Sequence, residues 1–206
     1  VTATLLNAAK ATGIDLTGSS FGVIGLGAAG VALAKMLMFR FKRPVFGADI
    51  APDALIRLKD AGGRPSDLAR IMAECDVVIA TTGVPGLIKK ETVRRGQIVL
   101  ALSNPNPEID PELALAAGAA FAADGRTVNN VLAFPGIFRG AVDADVPRIT
   151  REMLMAAADA IAAAAPPGEI VPNPLDKALH KSVARAVARV ALEQGLNRDD
   201  LTGYFD

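Results

Sequence analysis

Cysteine is nearly missing from this sequence. Cys75 is the single one, so no internal disulfide can form. A thiol heading an apolar run reads as a core side chain in a protein kept in a reducing compartment, which points to the cytoplasm. Net charge is missing too: 22 basic residues balance 22 acidic ones, leaving no basic excess for phosphate contacts and arguing against a nucleic-acid partner. Long apolar runs are absent. Val77 to Ala80 is short, and the alanine-rich stretch from Ala156 to Ala165 is interrupted by Asp159. Both fall well below the ~20 residues of a bilayer-spanning helix. The first residues do not read as a charged-then-apolar leader. The first residue is Val1 rather than Met, inside a helical pattern, and the expectation is that the amino-terminal part of a longer polypeptide is missing.

What is present is ample for a core. Apolar residues make up 51% of the 206, and the length suits one large domain or two. Thr2 to Lys10 has a helical face and stops near Gly13. Phe21 to Ile24 is a short buried strand, Gly30 to Phe41 a helix with a broad apolar face, and Pro44 to Ala48 a second strand. Helices follow over 53–61 and 66–75, then a strand at Val77–Ala80, a short helix at 90–94, and a strand over 98–102. A helix over 111–117 and a strand over 120–123 complete the alternation. Such alternation predicts an α/β fold, a doubly wound Rossmann-type parallel sheet with helices on both faces. Long helices over 150–165 and 176–194, separated by Pro166-Pro167-Gly168 and Pro172-Asn173-Pro174, form a C-terminal helical extension expected to pack back on the sheet. The organisation expected is a leading helix in 1–16, a Rossmann core in 17–144 and C-terminal helices in 145–206.

Gly25-Leu26-Gly27-Ala28-Ala29-Gly30 follows one strand and opens the next helix. A lone G-x-G-x-x-G is weak evidence, because an ordinary strand–turn–helix corner also uses glycine; the context strengthens it. Gly25 would allow the tight turn, Gly27 the approach of backbone to a pyrophosphate, and Gly30 the close packing of helix on strand. Amides at the helix start, Ala28 and Ala29 among them, would then meet the phosphates with the helix dipole behind them. Asp49 lies 19 residues beyond Gly30, where a carboxylate accepts from the adenine-ribose hydroxyls. A 2′-phosphate would meet like charge there, so the reading favours NAD over NADP, with a plain surface-turn role for Asp49 as the bland alternative.

Three further segments lie after strands, on the rim that a doubly wound sheet shares with its glycine turn. Thr81-Thr82-Gly83 would bring backbone to the cofactor ribose, unless it is only a turn. Ser103-Asn104-Pro105-Asn106-Pro107-Glu108 has turn chemistry of its own. Asn129-Asn130 precedes an apolar segment, and one of the pair would suffice as a helix cap. Asn104, Asn129 and Asn130 are expected near the nicotinamide end, because a carboxamide offers a donor and an acceptor without charge.

At these residues the chain resembles the malic enzyme family in its small bacterial form. The likeness runs from Leu5-Leu6-Asn7-Ala8 through Asn104-Pro105 and the Val128-to-Gly140 string Val-Asn-Asn-Val-Leu-Ala-Phe-Pro-Gly-Ile-Phe-Arg-Gly to Ile170–Asp176. It implies the carboxy-terminal, NAD-binding domain of a malate oxidoreductase that decarboxylates its product to pyruvate. It also implies Asn104 and one or both of Asn129 and Asn130 as contacts to substrate and cofactor. The family's base lysine, acid tyrosine and the carboxylates that bind Mg²⁺ or Mn²⁺ belong to an amino-terminal domain that this chain lacks, and the complete enzyme is expected to be a homodimer. Tyr204 matches no family motif, and His180 reads as a surface or packing residue. No catalytic acid or base and no metal ligand is therefore assigned within the chain. Two alternatives stay open: a free-standing NAD-binding regulatory module, and the cofactor domain of another two-domain dehydrogenase.

Overall fold

Short apolar runs alternate with amphipathic ones along the first 124 residues, and the chain answers with strands and helices in turn. A computed structural model describes residues 1–205. The strands are β1 (Phe21–Ile24), β2 (Phe46–Ala48), β3 (Arg64–Pro65), β4 (Val77–Ala80), β5 (Ile98–Ala101) and β6 (Phe121–Asp124). The helices are α1 (Thr2–Thr12), α2 (Ala28–Phe41), α3 (Pro52–Asp60), α4 (Leu68–Glu74), α5 (Pro111–Ala116), α6 (Phe134–Asp143), α7 (Arg151–Ala163) and α8 (Lys177–Glu193). Single 3-10 turns occupy Lys90–Thr92 and Asn130–Leu132. The chain divides into two bodies, Ala8–Val128 and a second made of Val1–Asn7 with the residues from Asn129 onward.

The first body is one six-stranded sheet in the order β3-β2-β1-β4-β5-β6, parallel throughout. The doubly wound, Rossmann-type α/β fold expected from the alternation is the fold that forms. Every residue of β1, β4 and β5 is buried, as apolar strands covered on both faces must be. Cys75 joins Ile71, Met72, Val78 and Val99 in one cluster of this core, and burial pushes its thiol up to about 11. It is a packing residue. The register places Ile24 beside both Ala48 and Ala80, Ala80 beside Ala101, and Ala101 beside Asp124. The carboxyl ends of five strands are thus level. Order reverses between β1 and β4, which is where such sheets open a crevice for ligands.

In the second body α6, α7 and α8 bury Leu132, Met153, Ile161, Leu179, Val183 and Val187 around Ala3 of α1. Thr150 caps α7 by accepting from the Met153 amide at 3.3 Å, and Asp176 caps α8 by accepting from Ala178 at 2.8 Å. Asn7 donates to the carbonyls of Ala162 and Ile170 at 3.0 and 2.9 Å, tying α1 to the end of α7. Helix α6 lies close on α8: a Cβ on Gly140 would stand 2.3 Å from the Ala184 carbonyl oxygen, so only glycine fits there.

Two elements differ from the sequence-based expectation in kind rather than by a residue or two. The two-residue strand β3 was not foreseen, because a Pro-bearing edge segment carries no periodicity. The 134–143 segment, left without an assignment, is a helix; its Pro135 sits in the first turn, where a missing N–H costs nothing.

Candidate functional site

The level strand ends put Asp49, Gly25, Thr81, Leu102 and Gly125 in successive positions along one rim. A cleft of about 530 Å³ opens at the β1–β4 reversal, lined by Gly25, Gly27, Asp49, Thr81 and Thr82 together with Ile50, Ser66, Leu68, Val84 and Leu87. The apolar members were not anticipated from the sequence. Ile50 and Val84 are exposed and Leu68 and Leu87 half-buried, and they share no sequence pattern.

The turn is built by close approach. Gly25 has φ +87°, its N–H donates to the Ala48 carbonyl at 2.8 Å, and Thr81 Oγ1 donates to its carbonyl at 3.0 Å. A Cβ on Gly30 would lie 1.8 Å from the Gly25 carbonyl oxygen, so the first turn of α2 rests directly on the strand end. Gly27 differs, because a Cβ there would meet nothing within 4 Å. It faces open space. Gly27 is the N-cap of α2 and has no capping side chain. The amides of Ala28, Ala29 and Gly30 find no acceptor among the described residues. Unpaired amides at a helix start, with glycine clearing the way, are the arrangement that receives a phosphate. This part of the rim fits a dinucleotide.

Asp49 turns inward over the same turn. Its Oδ2 accepts from the Leu26 amide at 2.6 Å and its Oδ1 from Ala51 at 2.8 Å. A carboxylate has about four lone-pair sites, so it can still accept from a diol.

Further along the rim, against Thr82 and Ser103, sits a residue to which the sequence assigned no role. Glu108 is fully buried. Its Oε1 accepts from the Thr82 amide at 2.6 Å, the Thr82 hydroxyl at 2.9 Å and the Ser103 hydroxyl at 2.5 Å; Oε2 accepts from the Ser103 amide at 3.3 Å. Burial alone would raise its pKa. The hydrogen bonds from Ser103 and Thr82 outweigh that and hold the carboxyl below its usual range. Its neighbours Asn106, Pro107 and Asp110 read as a polar turn, so the sequence around it carried no signal of burial. Through Ser103, whose Oγ accepts from the Gly83 amide at 2.8 Å, this carboxylate joins the loop after β4 to the loop after β5.

Asn104 follows directly in the second of those loops. It is exposed, and its side chain lies over the end of β6, where a Cβ on Gly125 would come 2.5 Å from Nδ2. Thr81 and Thr82 line the cleft, but their hydroxyls are spent on the Gly25 carbonyl and on Glu108. Asn129 and Asn130 open the second body, and both are exposed. Asn129 is the cap: its carboxamide oxygen accepts from the Val131 amide at 3.0 Å. The Asn130 side chain has no hydrogen bond among the described residues. Among the described residues there is no group of three or more His, Cys, Asp or Glu positioned to hold a metal ion, and no helix long and apolar enough to cross a membrane.

The chain is similar to known proteins in sequence and fold. The family described as "Malic enzyme, NAD binding domain" matches residues 59–193, and "D-isomer specific 2-hydroxyacid dehydrogenase, NAD binding domain" matches residues 3–92. NAD-dependent malic enzyme 1 of Bacillus subtilis is 54% identical over 191 residues, covering 92% of this chain and 44% of the relative. An NADP-dependent malic enzyme of Halomonas elongata is 31% identical over 248 residues, covering 98% and 57%. The crystal structure of malic enzyme from Pyrococcus horikoshii superposes with a TM-score of 0.87 at 32% identity, over 97% of this chain and 54% of that one. The chain spans about half the length of the relatives it matches.

Proposed function

This chain belongs to the malic enzyme NAD-binding domain family, and on that premise we propose that it holds NAD for the oxidative decarboxylation of malate to pyruvate and carbon dioxide. The observation that carries the reading is the Gly25–Gly30 turn, with its unpaired amides and Asp49 folded over it. When bound, the nicotinamide ring would take the hydride from carbon 2 of malate, and NAD and malate would leave as NADH, pyruvate and carbon dioxide.

The chain's own residues bind and orient. Gly25, Gly27, Ala28, Ala29 and Gly30 present backbone to the pyrophosphate, Asp49 accepts from the ribose hydroxyls, and Thr81 and Thr82 form the wall beneath. A 2′-phosphate at Asp49 would meet a carboxylate, which favours NAD over NADP in this chain. The free carboxamides of Asn104 and Asn130 would orient malate against the ring, a positioning contribution to the rate; Asn129, engaged as a cap, has its N–H donors left for the same task. A metal-binding amino-terminal domain, a homodimeric assembly and a cytoplasmic location complete the proposal.

Two measurements test it together. Titration calorimetry on this chain should give saturable NAD binding, tighter than NADP, without malate turnover. In the full-length enzyme, Asn104→Ala or Asn130→Ala should lower kcat on the order of 100-fold with NAD affinity kept. Unchanged turnover in both variants would instead favour a regulatory NAD module.

A further inference from the structure

The second body carries a cleft that the proposed function leaves unused. It encloses about 790 Å³ and is lined by Arg139 and Asp143 of α6, His180, Lys181 and Arg185 of α8, and Tyr204 of the tail. A volume in this range holds a small metabolite. Among the described residues its charged lining is Arg139, Lys181 and Arg185 against Asp143; Arg185 has an interaction of its own, so Arg139 and Lys181 are the cations available to a ligand.

That carboxylate is already engaged. Arg139 Nε donates to both oxygens of Asp143 at 2.6 and 2.7 Å, and the Tyr204 hydroxyl donates to Oδ2 at 2.6 Å. Burial, and then Asp143, pushes the Tyr204 hydroxyl up to about 12, so it remains a neutral donor. Asp143 thereby fixes the guanidinium by one edge. The Arg139 side chain is 72% exposed, and its remaining N–H donors stand in the planar fork that matches paired oxygens of a carboxylate or phosphate. Lys181 is exposed and has no ion-pair partner among the described residues. His180 Nε2 lies 2.8 Å from the Pro174 carbonyl oxygen, which can only accept, so Nε2 carries the proton. Its Nδ1 is then a lone-pair acceptor, buried without a partner, and it suits a hydroxyl or protonated oxygen of the ligand rather than a bare anionic one.

We propose that this cleft binds a small multivalent oxyanion, independently of the dinucleotide. The test is titration calorimetry on the whole chain, in saturating NAD, with pyrophosphate and tricarballylate as probes. Saturable binding of either probe is expected, weakened at least tenfold by Lys181→Glu and by Arg139→Gln, with NAD affinity unchanged in both variants. Lys181 lies exposed, so its variant should melt like the parent and keeps the test sound if Arg139→Gln unfolds. Pyrophosphate alone would assign a phosphate ligand, and tricarballylate alone a carboxylate. Absence of saturable binding by both probes at millimolar concentration would overturn the proposal. So would binding indifferent to Lys181→Glu, or binding that saturating NAD abolishes, which would place the probe at the glycine turn.

Discussion

The two clefts face negative charge by opposite means. At the sheet rim the donors are backbone amides at the start of α2, neutral, fixed in place and cleared by glycine. In the helical body they are the side chains of Arg139 and Lys181 on two helices, charged and long. A backbone site can be damaged only by crowding or by moving the chain, whereas a side-chain site can be erased one residue at a time. The first is therefore specified by the absence of Cβ atoms, and the second by what particular side chains carry.

Substitutions can break or sharpen that contrast. Gly30→Ala should have the largest effect: with no room beside the Gly25 carbonyl, the helix must shift, and NAD affinity should fall by a factor on the order of 100 in a direct titration. Affinity within threefold of the parent would show that the turn is not the binding element. Glu108→Ala should come next, costing about 2–3 kcal/mol in urea unfolding, because it strands buried amide and hydroxyl donors. Its pH signature has a defined sign. Glu108 is held below its ordinary value, so its contribution is present above the unfolded carboxyl's pKa. It is lost as pH falls through the folded value. Glu108→Gln should flatten the acid side of the stability profile; an unchanged acid limb would refute the assignment.

Gly140→Ala presses on the Ala184 carbonyl and should cost about 1–3 kcal/mol in the helical body. NAD titration should not register it, so a parallel loss of NAD affinity would erase the independence of the two clefts. Asp49→Asn is the mildest. Removing the charge should weaken NAD about tenfold and narrow the margin over NADP; a wider margin would contradict the role of Asp49.

The same contrast explains what could be read beforehand. Strand β4 and the Gly25–Gly30 turn show in the sequence because each depends on local rules, an unbroken apolar run for one and Cβ clearance for the other. Helix α2 begins at Ala28, two residues ahead of the expected Gly30, because Gly27 rather than Gly30 is its cap. Helix α6 escaped because Pro135, Gly136 and Gly140 look like turn chemistry. Only the contact with α8 shows that both glycines are packing residues. A cap was the bland alternative to substrate contact for Asn129-Asn130, and in the structure Asn129 is that cap. The basic cleft joins Arg139, His180 and Tyr204 across more than 60 positions of sequence, a distance that no short motif spans. Glu108 escaped for a similar reason: its partners Thr82 and Ser103 meet it only once two strands are adjacent.

That carboxylate has a mechanical consequence. Loops after neighbouring parallel strands ordinarily fluctuate on their own, and a ligand that needs both must still them at the cost of its own affinity. Here one buried side chain spans the two, so Thr82 and Ser103 are obliged to move as a single piece. The stiffening is settled when the chain folds, and an arriving cofactor meets a rim whose disorder has already been spent.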